Sequence, residues 1–366
     1  MDDCRTAPET PDSDRARGFD LFTEGDALYD AMLADIRAAT QRVWLETYIW
    51  VEDPVGKLFI DALSQKAREG LDVRVRVDAV GSKFGLRPHG IRKLKASGAV
   101  LSWCHPWQWL RPWLYHRRNH RKLLVVDDRA AYLGGYNIAA VNSQRHVGRK
   151  RWRDTQVRLT GAPVRLCVEA FRVFGRGRLS WRGGNSGAYL LTNHGKRCRF
   201  QLRCLFLNRM ASAGERIWLT TPYFVPDSRT VTVLSQAARR GADVRVLLPR
   251  CSDVPLAQWA AKACYSRLLN AGVRLHEYQP RVLHAKTLVI DREWASIGTA
   301  NLDYRSLFIN YELNFAAKWP ALNAALAWEF ERDLLDARSI GLTPWKHRGA
   351  FSRMEEWIGW GLRHWL

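Results

Sequence analysis

One polar signature occurs twice in this chain, and it constrains the fold more than any other feature of the sequence. Its two copies are His120, Lys122, Asp127, Gly134, Asn137 and His284, Lys286, Asp291, Gly298, Asn301. All five positions recur at a single offset of 164 residues, which requires two copies of the same loop and strand. The two histidines can therefore meet at one site. Two facing imidazoles suit a phosphoryl transfer in two steps.

The repetition extends to a whole α/β unit. A Leu-Ser-Gln helical segment, a glycine stop and an alternating strand run from 63 to 75, and the same order returns from 234 to 246. Helical periodicity followed by alternation of residue type predicts a helix and then a half-buried strand in each copy. The offset here is 171 residues, so the copies differ by a small loop change. We therefore expect a duplicated α/β domain.

Chain length and local composition suggest where the domains begin and end. At 366 residues the chain exceeds the size at which one hydrophobic core usually stops growing. Residues 1–18 are polar and lack periodicity, which predicts a flexible tail. The stretch 175–199, rich in Gly, Arg and Ser, indicates the junction. We expect a first domain at 19–190, a second at 191–345 and a C-terminal amphipathic helix at 346–366.

The charge balance points to anionic partners. Lys and Arg number 57 against 36 Asp and Glu, a formal net charge of +21 that would attract anionic lipid surfaces, nucleic acid or phosphorylated substrates. Seventeen Trp residues favour lipid, since indole is enriched at membrane interfaces. No stretch approaches the roughly 20 apolar residues that span a bilayer, and no signal peptide is recognisable. We expect a peripheral protein on the cytoplasmic face of the cell membrane.

Each signature copy places a histidine beside a cation. Residues two apart share one face of a strand, so His120 points with Lys122, and His284 with Lys286. One imidazole can attack phosphorus while the other protonates the leaving alkoxide and later deprotonates the acceptor. The two lysines and the two signature asparagines would stabilise charge on the phosphoryl oxygens, a task otherwise given to metal ions. We expect neither a metal nor a cofactor.

The signature acids have a different role from the histidines. Asp127 and Asp291 lie seven positions beyond their histidines, so on an unbroken strand they face the opposite side. We assign them to anchoring the turn that follows. Each catalytic imidazole still needs a partner on its second nitrogen to fix its tautomer. The candidates are Asp154 and Glu312, one in each half, with surface ion pairs to nearby Arg as the alternative.

At these residues the chain resembles the phospholipase D superfamily, whose His-x-Lys-x4-Asp-x6-Gly-x2-Asn pattern is met in both halves. Further stretches resemble the bacterial cardiolipin synthase branch: 45–48 (LETY), 78–82 (DAVGS), 134–138 (GGYNI), 152–154 (WRD), 221–227 (TPYFVPD) and 301–306 (NLDYRS). The resemblance covers roughly residues 19–340. Members of this branch commonly carry two N-terminal membrane helices, and this chain looks more like the shorter branch without them.

The resemblance implies a pseudo-twofold pair of α/β domains, each a mixed β-sheet flanked by helices, with the active site between them. In the family the first-half histidine is usually the nucleophile, so His120 takes that role and His284 that of general acid and base. The sequence itself does not order them. Where many relatives have Ser after the motif glycine, this chain has Gly135 and Thr299. Gly135 offers a backbone N–H alone, while Thr299 can add a hydroxyl donor to the phosphoryl pocket.

The favoured function is a phosphatidyl transferase that makes cardiolipin from phosphatidylglycerol-type donors through a phosphohistidine. If water captures the phosphatidyl group instead, the same site is a phospholipase D. A phosphodiesterase or nuclease of the same superfamily is the runner-up, and the Trp clusters make nucleic acid the less favoured partner. A non-enzymatic basic scaffold would predict decay in one signature copy, and neither copy has decayed. The oligomeric state stays open.

Two segments are candidates for membrane contact. Met354, Trp357, Ile358, Gly361, Leu362 and Trp365 fall on one side of a C-terminal helix. Such a helix suits the headgroup region, with docking on the protein's own core as the alternative. The segment from Trp103 to Arg118 holds four Trp and several Arg just before His120. It would form a rim that grips lipid, or else a packed wall of the cleft.

Overall fold

The structure is a computed structural model. It describes residues 18–106, 110, 115–174, 187–193, 196–349, 354, 357–359 and 361. Residues 1–17 of the expected tail at 1–18 and most of the 175–199 junction lie outside the described residues.

Fifteen strands and ten α-helices are present in the part of the chain just defined. The strands are β1 (Phe19–Phe22), β2 (Arg42–Thr47), β3 (Asp72–Asp78), β4 (Val100–Cys104), β5 (Leu123–Val126), β6 (Ala130–Gly134), β7 (Gln156–Thr160), β8 (Ala188–Thr192), β9 (Arg216–Thr220), β10 (Asp243–Pro249), β11 (Arg274–Tyr278), β12 (Thr287–Ile290), β13 (Trp294–Gly298), β14 (Leu313–Ala317) and β15 (Ala337–Ser339). The helices are α1 (Gly25–Arg37), α2 (Pro54–Arg68), α3 (Pro88–Ala96), α4 (Gln144–Val147), α5 (Ala162–Arg172), α6 (Lys196–Ala211), α7 (Ser228–Arg239), α8 (Pro255–Asn270), α9 (Pro320–Leu335) and α10 (Leu342–Lys346).

The strands form two mixed sheets with the same internal order. The first sheet runs β1-β7-β6-β5-β2-β3-β4, and the second runs β15-β11-β10-β9-β12-β13-β14-β8. In both, three parallel strands (β2, β3, β4 and β9, β10, β11) continue into an antiparallel set through β5 or β12. The predicted duplication into two α/β halves, each a mixed sheet flanked by helices, is confirmed.

The duplication reaches individual side chains. In each half a strand Trp stacks on a helix Phe and donates its indole N–H to the Asp that begins the next strand: Trp44, Phe171 and Asp72 in the first half, and Trp218, Phe330 and Asp243 in the second. The ring centroids are 5.1 Å and 5.2 Å apart, and the hydrogen bonds measure 3.0 Å and 3.1 Å. Burying these N–H groups with an acceptor avoids the cost of an unsatisfied donor.

The two halves share a hydrophobic core. Buried side chains from β5, β6 and β7 of the first sheet pack with those from β12, β13 and β14 of the second. Helices α5 and α9 contribute to this same cluster. Each half also has a core of its own on the other face of its sheet. Because apolar surface is removed from water between the halves, they are held face to face, with the ends of β5 and β12 close together.

The domain boundary lies earlier in the chain than expected. Strand β8 (Ala188–Thr192) pairs with β14 and so belongs to the second sheet. A boundary at 190 cuts through this strand, which places the start of the second half before Ala188. The reason is that β14 offers a free sheet edge that the junction segment fills as it enters the second half.

The C-terminal segment is only partly described. Of the expected helix at 346–366, Met354 and Trp357 are exposed, Trp357 with 78% of its surface. Gly359 is buried against Ala260 of α8, where a Cβ atom would lie 2.3 Å from the Ala260 amide nitrogen. Within the described residues, Gly359 therefore packs on the protein while the indole of Trp357 faces solvent. Residues 350–353, 355, 356, 360 and 362–366 of this stretch lie outside the described part of the chain.

Candidate active site

The two signature histidines are positioned by backbone hydrogen bonds that cross between the halves. The His120 amide donates to the Tyr311 carbonyl (3.0 Å), and the Tyr311 amide donates to the Arg118 carbonyl (2.9 Å). On the second half, the His284 amide donates to the Arg153 carbonyl at 2.7 Å. Each histidine therefore precedes its own strand, β5 or β12, while being tied to the opposite half.

Each imidazole is bonded to a carboxylate of the other half. Nδ1 of His120 lies 3.0 Å from Oε2 of Glu312, and Nδ1 of His284 lies 2.5 Å from Oδ2 of Asp154. All four side chains are buried. A carboxylate that accepts the Nδ1 proton fixes the tautomer and leaves Nε2 with its lone pair. The structure thus brings the predicted acids Asp154 and Glu312 to the histidines, in a crossed arrangement that sequence spacing did not indicate.

The residues after the motif glycines shape the space around these carboxylates. Gly135 leaves room for Asp154, since a Cβ atom at position 135 would lie 2.0 Å from Oδ1 of that acid. The Gly135 amide donates to the Thr155 carbonyl, so it belongs to the sheet and not to a phosphoryl pocket. Thr299 occupies the equivalent place in the second half, where its hydroxyl donates to Oε2 of Glu312 (2.5 Å). The expectation that Thr299 contributes a donor to the pocket is wrong, because Glu312 takes that donor.

Burial lowers the pKa of both imidazoles. Desolvation lowers the pKa of His120 to about 4, and Glu312 offsets only part of this effect. Burial also lowers the pKa of His284, with Lys286 acting in the same direction. The pKa of Asp154 is lowered, because Lys286 and His284 outweigh the opposing effect of its burial. A neutral imidazole beside a carboxylate is the state in which histidine is a nucleophile or a general base.

The signature lysines are hydrogen-bonded to the backbone of their histidines. The Lys122 ammonium donates to the His120 carbonyl at 2.9 Å, and the Lys286 ammonium donates to the His284 carbonyl. Burial, together with the charge of Lys286, lowers the pKa of Lys122 to about 7. Burial likewise lowers the pKa of Lys286 to about 8, although nearby carboxylates oppose it. Two cations thus lie near the two histidines, each with further N–H donors beyond the one bonded to a carbonyl.

The signature asparagines line the same cavity as the histidines. Oδ1 of Asn137 accepts a hydrogen bond from the Ile49 amide (3.0 Å), which directs its NH₂ group toward the cavity. Oδ1 of Asn301 is buried and has no hydrogen-bond partner among the described residues. The NH₂ groups of both asparagines are donors of the kind that stabilise phosphoryl oxygens.

The signature acids lie at the far ends of their strands. Asp127 accepts hydrogen bonds from the amides of residues 40–42, and Asp291 from those of 214–216. They anchor the loops that lead into β2 and β9, and not the turns that follow them. Both have a positive φ of about 50°, which Asp tolerates better than most residues. At this φ the backbone is no longer extended, so each acid lies just beyond the end of β5 or β12. The length of the strand, and not the face on which a side chain points, separates each acid from its histidine.

A cavity of about 440 Å³ opens above the two histidines, a size typical of ligand pockets. Arg118, at the end of the predicted rim, lines this cavity, as do several residues that were given no individual role from sequence: Tyr48, Trp152, Tyr223, Asp253, Asp303 and Arg305. The Tyr48 ring packs 5.0 Å from the His120 ring, and the Trp152 ring packs 5.4 Å from the His284 ring. These aromatic rings hold the imidazole planes in place.

Asp303 is a buried acid that sequence reasoning missed. Its Oδ1 accepts from the Ser306 amide at 2.6 Å, and the Asn301 side chain also donates to it. Burial, reinforced by Glu312, raises the pKa of Asp303 to about 7. It lies within the stretch 301–306, one of those that carried the family resemblance. That resemblance was the sequence signal that could have identified it. The acid holds Asn301 and is placed in the cavity wall.

Two further features bear on cofactors and membranes. Within the described ranges, no group of three or more His, Cys, Asp or Glu side chains is arranged to hold a metal ion. In the same ranges, none of the helices has both the length and the apolar character needed to cross a bilayer.

Solved structures with the same architecture identify the class of fold. Phosphatidylserine synthase from Haemophilus influenzae superimposes with a TM-score of 0.70 at 15% identity, covering 95% of this chain and 92% of that one. Polyphosphate kinase from Porphyromonas gingivalis superimposes with a TM-score of 0.61, also at 15% identity, covering 87% and 51%. Two α/β halves that share one pair of histidines define a phospholipase D-like fold.

Sequence comparisons place the chain more narrowly. A family model described as "Cardiolipin synthase, PLD-like domain" matches residues 32–147 and 206–334. The cardiolipin synthase of Clostridium perfringens is 30% identical over 93% of this chain and 75% of its own length. That of Oceanobacillus iheyensis is 31% identical over 89% and 72%. The chain belongs to the cardiolipin synthase branch of the phospholipase D superfamily, and it is an enzyme of that superfamily.

Proposed function

We propose that this enzyme is a phosphatidyl transferase that makes cardiolipin from phosphatidylglycerol-type donors through a covalent phosphohistidine. The observation that carries the proposal is the crossed pairing of His120 with Glu312 and of His284 with Asp154. Both pairings use Nδ1, so both Nε2 atoms remain for chemistry in one cavity. The printed names of the curated relatives, cardiolipin synthases, support the choice of a phosphatidyl group as the one transferred.

In the first step, Nε2 of His120 attacks the phosphorus of the donor. A P–N bond forms while the bond from phosphorus to the glycerol oxygen breaks. His284, protonated at Nε2, gives its proton to that oxygen, and glycerol leaves. Asp154 stabilises the imidazolium form of His284 that this step requires, and Glu312 stabilises the charge that develops on His120.

In the second step, the hydroxyl of a second phosphatidylglycerol takes the place that glycerol has left. His284 removes its proton as the hydroxyl oxygen attacks phosphorus, and the P–N bond to His120 breaks. Cardiolipin is released with both histidines restored. Lys122, Lys286 and the two signature asparagines stabilise the phosphoryl oxygens in both steps by charge and hydrogen bonding.

The cavity wall beside His284 favours a lipid substrate. Val225, Val254 and Ala257 line the cavity there and form a small apolar cluster with Tyr223 and Ala260. A glycerophospholipid presents a charged headgroup joined to apolar chains, and this site presents charged groups joined to an apolar wall. A nucleic acid substrate would leave that wall without a partner.

Exposed apolar residues on the segments that border the cavity support a peripheral membrane protein. Phe84 is 90% exposed on the loop after β3, and Leu110 is 90% exposed in the predicted lipid-gripping rim. Trp357 is exposed, and Gly359, two residues further on, packs against Ala260 of α8, the helix whose Ala257 lines the cavity. With a net charge of +21, these side chains suit an anionic bilayer surface, which for this substrate is the cytoplasmic face of the cell membrane.

The decisive experiment is incubation of the purified protein with phosphatidylglycerol, with and without added glycerol, followed by mass spectrometry. We expect cardiolipin and glycerol as products, and added glycerol should reverse the reaction. His120→Ala should abolish transfer, while His146→Ala, an exposed histidine away from the cavity, serves as the matched control. Full transfer by His120→Ala would falsify the mechanism. If phosphatidic acid dominates, the enzyme is a phospholipase D hydrolase, and if only DNA or RNA is cleaved, it is a nuclease.

The order of the two histidines has its own test. A donor with a labelled phosphatidyl group is mixed with enzyme and quenched in base, in which phosphohistidine is stable. His284→Ala should retain the label because the attacking Nε2 of His120 is intact, and His120→Ala should retain none. The opposite pattern would assign the nucleophile to His284.

A further inference from the structure

Arg118 is a buried cation that the reaction described above does not use. It is 4% exposed and lines the cavity on the side of His120. Its Nη1 donates to the His105 carbonyl at 3.3 Å, and its guanidinium stacks 4.3 Å from the centre of the Tyr115 ring. Its Nε and Nη2 atoms are buried, with no hydrogen-bond partner in the described part of the chain. Such donors are costly to leave unpaired, which indicates a ligand.

The nearby carboxylate does not satisfy this guanidinium. Oδ1 of Asp78 lies 3.7 Å from Nη1 of Arg118, beyond hydrogen-bonding distance. That oxygen already accepts from the amides of Val80 and Gly81, and Oδ2 accepts from the amide of Asn119. Asp78 therefore fixes the loop around Arg118 and leaves two of its nitrogen atoms for another anion.

A second arginine from the other half lies at the same end of the cavity. Arg305 lines the cavity and donates from Nη2 to the His116 carbonyl (3.3 Å), so it is tied to the segment that carries Arg118. Both arginines act electrostatically on Tyr48, which packs on His120. The opposite wall, beside His284, carries Asp253, whose carboxylate accepts from the Tyr223 hydroxyl at 2.8 Å. Asp253 and Asp303 are the acids in the described lining of the cavity, and Arg118 and Arg305 are its arginines.

We propose that Arg118, assisted by Arg305, binds a second phosphodiester, that of the acceptor phospholipid, while the first phosphodiester reacts at the histidines. The inference rests on the proposed function, in which the acceptor is itself a phosphodiester whose phosphate is separated from its reacting hydroxyl by a three-carbon glycerol. The reacting phosphate already has two lysines and two asparagines. A guanidinium whose Nε and Nη2 are both without a partner among the described residues is suited to the two oxygens of a further phosphate.

This arrangement selects the acceptor by its charge. An acceptor with its own phosphate gains charge-assisted hydrogen bonds to Arg118, whereas water or an uncharged alcohol gains none. Because these bonds are made only by the acceptor, they favour transfer to an anionic phospholipid over hydrolysis. Arg118 is thus a specificity residue and not a catalytic residue.

The test is a competition between two acceptors in one reaction, phosphatidylglycerol and ethanol. The ratio of cardiolipin to phosphatidylethanol should fall by roughly tenfold or more in Arg118→Gln, as expected for the loss of a charged hydrogen bond. Arg165→Gln, an exposed arginine of α5 with the same change of charge, should keep the wild-type ratio. If both products fall in parallel, Arg118 contacts the reacting phosphate and the proposal is wrong. An unchanged ratio with both products at wild-type level also overturns it.

A second measurement on the wild-type protein avoids any effect of the substitution on folding. Dimethyl phosphate, a diester monoanion without a hydroxyl, should occupy the Arg118 site and lower the ratio of cardiolipin to phosphatidylethanol. Equal inhibition of both products would count against the site. Failure of the proposed function looks different, because the wild-type protein would then form neither product.

Discussion

Nε of Arg153 lies 2.9 Å from Oδ1 of Asp333, and this contact joins the two halves directly behind the active site. Arg153 is 1% exposed, and its Nη2 also pairs with Glu329 at 3.1 Å. Its backbone carbonyl accepts from the His284 amide. One residue thus carries both a buried interdomain ion pair and a support for the second histidine.

Replacing Arg153 by Ala should destabilise the protein by about 3–5 kcal/mol, because it removes the guanidinium that is hydrogen-bonded to the buried carboxylate of Asp333 and paired with the partly buried Glu329. Urea unfolding measures the change. Arg292→Ala is the matched control, since Arg292 pairs with Glu215 on the surface and should contribute less than about 1 kcal/mol. A loss at Arg153 no larger than that at Arg292 would contradict the role assigned to the buried pair.

The crossed acids should act on different steps. Glu312→Gln should slow formation of the phosphatidyl-enzyme by roughly 10²–10⁴-fold, because His120 loses the group that fixes its tautomer. Asp154→Asn should mainly slow proton transfer to the leaving alcohol and from the acceptor. Rapid-quench measurement of labelled enzyme separates the effects. If both variants slow the same step to the same extent, Glu312 and Asp154 do not act separately on His120 and His284.

Gly135→Ala should impair the enzyme although it adds one methyl group. The new Cβ would lie 2.0 Å from Oδ1 of Asp154, so that carboxylate must move away from His284. Loss of such a supporting contact costs roughly 10–100-fold in activity, which steady-state transfer assays would detect. Gly214→Ala is the control, because nothing lies within 4 Å of a Cβ atom there. Full activity in Gly135→Ala would mean that the carboxylate is free to shift.

The pH dependence of kcat/KM should follow the free-enzyme pKa values. Lys122 and Lys286, with pKa values of about 7 and about 8, lose their charge as pH rises, so kcat/KM should fall above neutrality. His120, with a pKa of about 4, becomes protonated only below that pH and loses its nucleophilic nitrogen there. Initial rates measured from about two pH units below the pKa of His120 up to pH 9 test both limbs. A profile that stays level up to pH 9 would exclude lysines with lowered pKa values.

Membrane contact should depend on the exposed residues near the cavity. Phe84→Asp should weaken binding to vesicles that contain phosphatidylglycerol, as measured by co-sedimentation, because it removes apolar area and adds a negative charge. Leu335→Asp is a matched control, since Leu335 is 85% exposed at the end of α9. Equal losses in the two variants would indicate a charge effect and not a docking surface.

The repeat of five residues at one offset was sufficient to predict a duplicated α/β fold, because each copy carries its own helix, stop and strand. It could not predict the crossing of the acids. His120 and Glu312 are separated by 192 positions, and their contact depends on how the two sheets pack. Which half supplies the carboxylate for each histidine depends on how the two halves pack together, so no local sequence pattern predicts it.

Arg118 and Asp303 show a second limit of sequence reasoning. Both lie in segments that the sequence singled out, yet an arginine in a Trp-rich stretch and an acid in a loop are ordinary surface residues. Their burial follows from backbone contacts across the cleft, such as the Tyr311 amide on the Arg118 carbonyl. The structural role expected for Asp127 agrees with its hydrogen bonds to residues 40–42, although β5 ends before that residue and strand parity does not apply to it.

The backbone hydrogen bonds that cross between Tyr311 and His120, and between Arg153 and His284, have a consequence for substrate traffic. Parting the halves like a hinge would break these bonds together with both imidazole–carboxylate contacts. We therefore expect a lipid substrate to enter and leave through the open side of the cavity, without separation of the two halves.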